Sequence, residues 1–417
     1  MSDDIALSPV HQRVLHNQTI SENGPGAVLR DFASLLDFVR AREIVVSGKH
    51  QLLPMSLLAE LNSRLSRTNQ VSLKRPQQKS YPYINGLYLL LRASGLSLVE
   101  NRGNKQFLLL DEEALRSWHG LNMTERYFTL LAAWLIRGRG EILGADRYPF
   151  SELSRCRDFM QRIPEAGLKV AGDKQTESMI PFQPGLRNVA LLDLFGLISV
   201  EHGEPEAGKA WSISHIFSTP FGDALSCLLS DFSGDEVELW WPLKKRRDEA
   251  AMSREFQSRL QPFFPEWRET LTLPEAAMRD GLHVFKVSLG RVWRRIAIPG
   301  EMTLEALSEA ILDAFDFDND HLHLFRYRNR FGIFEEVKHP YTEESPSTAE
   351  VKVGELPLKP SSMLEYLFDF GDNWLFEVRL EKLEPVNPKI RKPIVVEERG
   401  QAPPQYPNLD NEEWDEE

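Results

Sequence analysis

The sequence predicts an α+β multidomain chain: a helical N-terminal half with two winged-helix-like units, then a C-terminal α+β, β-grasp-like roll. Three observations carry this. Apolar residues at helical spacing dominate the first half. A helix closed by glycine and followed by a hydrophobic hairpin occurs twice. From residue 283 the apolar period switches to two, around a single amphipathic helix. At 417 residues the chain has room for two or three domains, each with its own core.

The elements follow in order. Phe32, Leu35, Leu36 and Val39 share one face of a helix over 31–43. Pro54 opens a second helix over 54–67, whose stripe is Leu57, Leu58, Leu61 and Leu65. A third runs over 82–94, opened by Pro82 and closed by Gly95. Residues 96–100 then alternate, 101–104 turn the chain, and Gln106–Leu110 returns as a strand, completing a winged-helix plan. Thr124 caps a helix running to about Ile136, and another covers 186–195 up to Gly196. Strands at 197–202 and 210–214 flank a turn over 203–208, and a last helix covers 219–229. Pro262, Pro265 and Pro274 mark the junction between halves, with Trp240, Trp241 and Trp267 expected to pack it.

Beyond residue 283, strands are expected at 283–289, 293–298 and 323–328. Thr303 caps a helix carrying Leu304, Leu307, Ile311 and Phe315 inward. A charged insertion over 335–360 precedes strands at 365–370 and 374–382. The resulting domains are a flexible 1–27, winged-helix-like units at 28–118 and 119–230, a linker at 231–274, the roll at 275–390 and an acidic disordered tail at 391–417. That tail ends in three prolines and six acidic residues among its last 17, a composition unable to bury a core.

The net charge of −13 is unevenly spread: residues 1–200 sum to +4 and 201–417 to −17. Residues 40–110 hold 11 basic side chains against 3 acidic ones, a local field that attracts phosphate or an acidic protein surface. Arg64, Arg67, Lys74, Arg75 and Lys79, with Arg102 and Lys105 at the hairpin tip, are the candidate contacts. The run Lys244-Lys245-Arg246-Arg247 meets Asp248 and Glu249 at once and suits a solvated helix face. With only Cys156 and Cys227, a disulfide scaffold and a cysteine-rich zinc site are excluded. No apolar run reaches membrane-spanning length and MSDDIALSPV lacks a signal-peptide layout, so a cytoplasmic protein without membrane contact is expected.

Two segments, VWRRIAIPGEMTLEALSEAILDAFDFDNDHLHLF at 292–325 and YLFDFGDNWLFEVRLEKL at 366–383, resemble the plasmid pRiA4b ORF-3-like family. The resemblance covers about 275–385 and implies a small α+β domain found in bacterial and mobile-element proteins, mostly without an assigned activity. The family's most polar motifs fall on His321, His323, Asp369, Asp372 and Trp374. Where the family commonly has a further histidine, two residues after the tryptophan, this chain has Phe376. Two histidines and two carboxylates suit a divalent metal or acid/base work if the fold gathers them. Otherwise Asp369 and Asp372 build a tight turn around Gly371, with Trp374 in the core.

No phosphate loop, dinucleotide fingerprint, HExxH helix or GxSxG elbow occurs, and no cofactor is expected. The basic, winged-helix-like N-terminal half therefore points to a non-enzymatic, nucleic-acid-associated protein with an acidic C-terminal interaction domain, and the family resemblance implies one of mobile-element type. A protein-interaction scaffold docking an acidic partner, and a metal-dependent hydrolase using the His/Asp cluster, stand as alternatives.

Overall fold

The computed structural model describes residues 7–103, 105–145, 152–230, 232, 249–275 and 277–406. Trp240, Trp241 and the 244–247 basic run lie outside them. The chain forms two compact units, one reaching to Pro274 and the other beginning at Glu275. Segment 101–104 is counted with the second unit and Arg330–Gly332 with the first. No described helix is long and apolar enough to cross a membrane.

The first unit is mostly helical. Helices α1 (Pro9–Asn17) and α2 (Val28–Arg40) lead to strand β1 (Ile44–Val46), helices α3 (Met55–Arg64) and α4 (Pro82–Ala93), and strands β2 (Ser97–Arg102) and β3 (Lys105–Leu110). Helices α5 (Glu112–Gly120), α6 (Met123–Ala132) and α7 (Glu152–Met160) follow. The series then repeats as β4 (Leu168–Lys169), α8 (Lys174–Met179), α9 (Leu186–Leu194), β5 (Ile198–His202) and β6 (Ile213–Ser218), before α10 (Pro220–Leu228) and α11 (Glu249–Leu260). The two small sheets have matching orders, β1-β3-β2 and β4-β6-β5. Each third helix ends at a glycine in the left-handed region, Gly95 at φ +78° and Gly196 at φ +70°. Gly196 has a second reason to be glycine: a Cβ there would lie 2.5 Å from the Gly26 nitrogen.

The two halves do not stand apart. Helix α4 is buried at every residue except Asn85 and packs on α9, where Gly86 makes room for the Leu191 side chain. Residues 1–27, expected to be flexible, contain α1, which packs on α10 and buries Leu15. The expected linker contains α11, and its Trp267 stacks on Phe128 at 4.8 Å. Glu125 secures this segment. Buried in the first turn of α6, its carboxylate accepts the backbone N–H groups of Asn122, Arg268 and Glu269 at 2.8, 3.0 and 2.8 Å.

The second unit is one seven-stranded, wholly antiparallel sheet with a helix against it. Its strands are β7 (Leu282–Leu289), β8 (Val292–Pro299), β9 (His323–Arg328), β10 (Phe334–Lys338), β11 (Met363–Phe368), β12 (Trp374–Glu384) and β13 (Ile394–Arg399). Their order is β10-β9-β11-β12-β7-β8-β13. Thr303 caps α12 (Leu304–Phe315), and Leu304, Leu307, Ile311 and Phe315 are fully buried against Phe285, Tyr366 and Phe376.

Two expectations are corrected here. The insertion assigned to 335–360 begins with a strand, β10, paired with β9. Strand β9 spans His323–Arg328 as expected, with His321 just before it. Residues 391–406 are no tail: β13 pairs with β8, and Arg294 donates to the carbonyls of Arg399 and Gly400 at 3.3 and 3.1 Å. Glu397 pairs with Arg295 and Glu398 with Arg294, while the six acidic residues of 410–417 lie outside the described residues.

Two predictions follow from these contacts. Burial pushes the Glu125 carboxyl up, but three backbone donors outweigh it and hold the group below the ordinary carboxylate value. Its stabilisation is therefore present at neutral pH and lost as pH falls through the lowered value. Glu125→Gln should cost about 1–3 kcal/mol at pH 7 in urea unfolding, with the gap to wild type narrowing in acid. Arg294→Ala removes a buried donor to β13, and amide exchange over 394–399 should accelerate by about tenfold or more.

Candidate functional site

The basic residues singled out in the first unit divide by environment. Arg64 closes α3 with its guanidinium 2.7 Å from Glu60 and 5.3 Å from the Phe38 ring centre. Arg67 is engaged as well: its backbone N–H donates to Asp31 at 3.2 Å, and its Nε lies 3.5 Å from the buried Asp193 carboxylate. Lys74, Arg75 and Lys79 are exposed on the segment joining α3 to α4, with no ion pair among the described residues. The segment is clipped in place by Ser72, whose carbonyl accepts from the Gly208 N–H at 3.0 Å and whose N–H donates to Lys209 at 3.2 Å. Lys105 is exposed at the start of β3. Arg102, also exposed, belongs to the stretch counted with the second unit and so is not part of this group.

Beside Arg67 opens a polar cavity of about 400 Å³, lined by Ser66, Thr68, Gln70, His202 and Trp211 among others. His202 lies over Tyr83 with ring centres 6.2 Å apart, and burial lowers its pKa. Asp193 accepts from the Tyr83 hydroxyl at 2.9 Å and from the Val200 N–H at 3.1 Å. Burial raises the Asp193 carboxyl, with Arg67 opposing.

In the second unit the family's polar motif splits. His321 lies at the surface, its Nε2 3.4 Å from Asp369 and 3.2 Å from the Tyr406 hydroxyl. That hydroxyl donates to Asp320 at 2.5 Å, a bond that holds the tyrosine at about 12 and the Asp320 carboxyl below its ordinary value. Asp369 sits at φ +54°, where its carboxylate accepts the Gly371 N–H at 2.8 Å and caps the turn between β11 and β12. Asp372 is exposed on that turn and joins neither histidine. Trp374 packs edge-on to Phe317 at 5.0 Å, and Phe376, in place of the family's histidine, lies in the core. The four residues proposed for a single metal or acid/base centre therefore do not converge.

His323 belongs to a different group. It is wholly buried at the start of β9, its Nε2 3.3 Å from the Glu305 carboxylate and 3.3 Å from the Thr348 hydroxyl. Thr348 donates to Glu305 at 2.5 Å, and the His339 ring lies edge-on at 4.8 Å between centres. Burial lowers the His323 pKa to about 4, with His339 adding to the effect and Glu305 opposing it. Sequence reasoning missed Glu305, His339 and Thr348. Glu305 lies in the first turn of a helix where an acidic residue is ordinary, and His339 stood in a stretch read as an insertion.

Residues 283–406, in the C-terminal region, match the family model described as Plasmid pRiA4b ORF-3-like protein. Uncharacterized protein y4hQ of Sinorhizobium fredii (strain NBRC 101917 / NGR234) is 30% identical over 118 residues, covering 27% of this chain and 58% of that protein. The chain thus matches less than two thirds of that relative's length. A crystal structure of a protein of unknown function, MM3350 from Methanosarcina mazei Go1, is 30% identical. That alignment covers 30% of this chain and 73% of the other, with a TM-score of 0.27.

The Asp369 geometry separates a turn role from a chemical one. Asparagine tolerates the left-handed region and can still accept the Gly371 N–H, whereas alanine can do neither cheaply. Asp369→Asn should keep near-wild-type thermal stability, while Asp369→Ala should lose about 1–2 kcal/mol in chemical denaturation.

Proposed function

We propose that the first unit binds nucleic acid along its phosphate backbone, without reading base sequence. Two features support the class. Each half runs strand, helix, helix, strand, strand, with a preceding helix in α2 or α7, and its sheet order places the last strand in the middle. We read this order as winged-helix-like, related to the helix-turn-helix modules whose second helix enters the major groove. Here those helices, α4 and α9, are packed on each other and buried, so neither is free to enter a groove.

The observation that carries the proposal is the exposed trio Lys74, Arg75 and Lys79, three cations on one segment without acidic partners among the described residues. Cations so placed contact phosphate, which positions a protein on nucleic acid but specifies no base. Arg64 and Arg67 are committed to Glu60 and Asp193 and drop out of the count. A second reading, docking of an acidic protein partner, uses the same trio and is favoured by the mutual burial of α4 and α9, which leaves no base-reading element.

The test is fluorescence anisotropy of the full chain with duplex DNA at two salt concentrations. Engaging three phosphates should weaken binding by about 40-fold between 50 and 200 mM salt. Changing Lys74, Arg75 and Lys79 together to Glu should abolish binding at the lower salt while leaving the far-UV spectrum unchanged. Absence of wild-type binding at low salt would remove the proposal and leave the acidic-partner reading.

A further inference from the structure

We infer that Glu305, His323 and His339 form a binding site for one divalent transition-metal ion of the zinc type. The site is separate from the basic segment of the first unit and does not depend on it.

Three elements deliver the donors. Glu305 lies in the first turn of α12, and its backbone N–H donates to the Thr348 carbonyl at 2.9 Å. His323 opens β9, and His339 follows β10 directly across from it, its N–H donating to the His323 carbonyl at 2.9 Å. One ligand atom from each residue falls within 4.8 Å of the other two. An ion with bonds of about 2.1 Å needs tetrahedral ligand atoms about 3.4 Å apart. His323 meets this with one Glu305 oxygen at 3.3 Å; His339 lies 4.0 Å from the other, and with the three ligand atoms spread over as much as 4.8 Å the donors must draw in by up to about 1.4 Å to hold the ion.

The donor set of two imidazoles and one carboxylate is borderline-soft and suits zinc and its neighbours, not magnesium or calcium, which take all-oxygen ligands. Three protein ligands leave a position for water or a ligand oxygen. Access is available on that side: His323 is fully buried, whereas the Glu305 and His339 side chains keep 22% and 13% exposure.

The Nδ1 of His323 is buried without a hydrogen-bond partner, and coordination through Nε2 leaves that nitrogen as it is, so the site rests on the placing of the three donors. Coordination also has a visible consequence at His339, whose Nδ1 accepts the Tyr341 N–H at 3.1 Å. With Nε2 on the ion the proton moves to Nδ1, so the contact must open and the exposed turn at Tyr341 must shift.

The full chain, stripped with a chelator and dialysed against Zn²⁺, should retain one equivalent by elemental analysis, and Mg²⁺ or Ca²⁺ should not compete. Glu305→Gln and His339→Ala should each weaken binding by about 100-fold or more, whereas His321→Ala should leave it unchanged. Co²⁺ loaded into wild type should give the visible absorption of an ordered nitrogen- and oxygen-liganded ion, a readout that does not depend on any variant folding. Failure of wild type to hold Zn²⁺, or binding that survives both Glu305→Gln and His339→Ala in folded protein, would overturn the assignment.

Discussion

The first unit is organised around one buried carboxylate. Asp193 lies on α9, yet its oxygens receive the Tyr83 hydroxyl from α4, the Val200 N–H from β5 and the Arg67 guanidinium from the segment after α3. A charge taken out of water is tolerated only when its hydrogen-bonding capacity is met. Meeting it forces α4 and α9 together and fixes the start of the α3–α4 segment. The packing of the two halves, the burial of both third helices and the placing of the cavity beside Arg67 all depend on this one group. Asp31 acts alongside it, accepting the N–H groups of Ser66 and Arg67.

How much of this was legible in the sequence depended on whether the signal was local. The stripe Leu304, Leu307, Ile311 and Phe315 with Thr303 before it specifies α12 and its buried face, because helix period and cap are encoded within four turns. The glycine-closed helices at Gly95 and Gly196 are legible for the same reason. Register across a sheet is not local. His323 meets Glu305 and His339 because β9 and β10 pair in one register and α12 packs against the sheet, and no spacing in the chain encodes that. The same limit applies to Arg67: its basic character was plain, but its commitment to Asp193 depends on where α9 comes to rest. The strand at 323–328 is legible from its alternation, but His321, just before it, meets Asp369 at the β11–β12 turn while His323 meets Glu305 on α12, a division set by packing and not by spacing.

The two units solve different stability problems. The first buries long apolar helices against one another and fixes their ends with side-chain caps such as Asp111, Asn122 and Thr219. The second wraps a single helix against one face of a sheet and places aromatic rings in contact there, with Phe325, Tyr366, Phe368 and Phe376 in sequence along it. Tyr366 is a polar exception in that core, and its hydroxyl is satisfied by Ser308 at 2.7 Å.

The position of β13 at the end of the sheet has a consequence for the molecule's colloidal behaviour. A sheet margin presents unpaired amides and carbonyls that recruit strands from other chains, and charged side chains are one way of discouraging this. Here the outermost strand carries Glu397, Glu398 and Arg399, all exposed, while its neighbour β8 is the apolar Trp293, Ile296, Ala297 and Ile298. The acidic strand thus shields a sticky one. A chain ending before Ile394 would leave β8 as the margin, with Arg294 and Arg295 stripped of Glu398 and Glu397, and would be prone to pair strand to strand with its own copies.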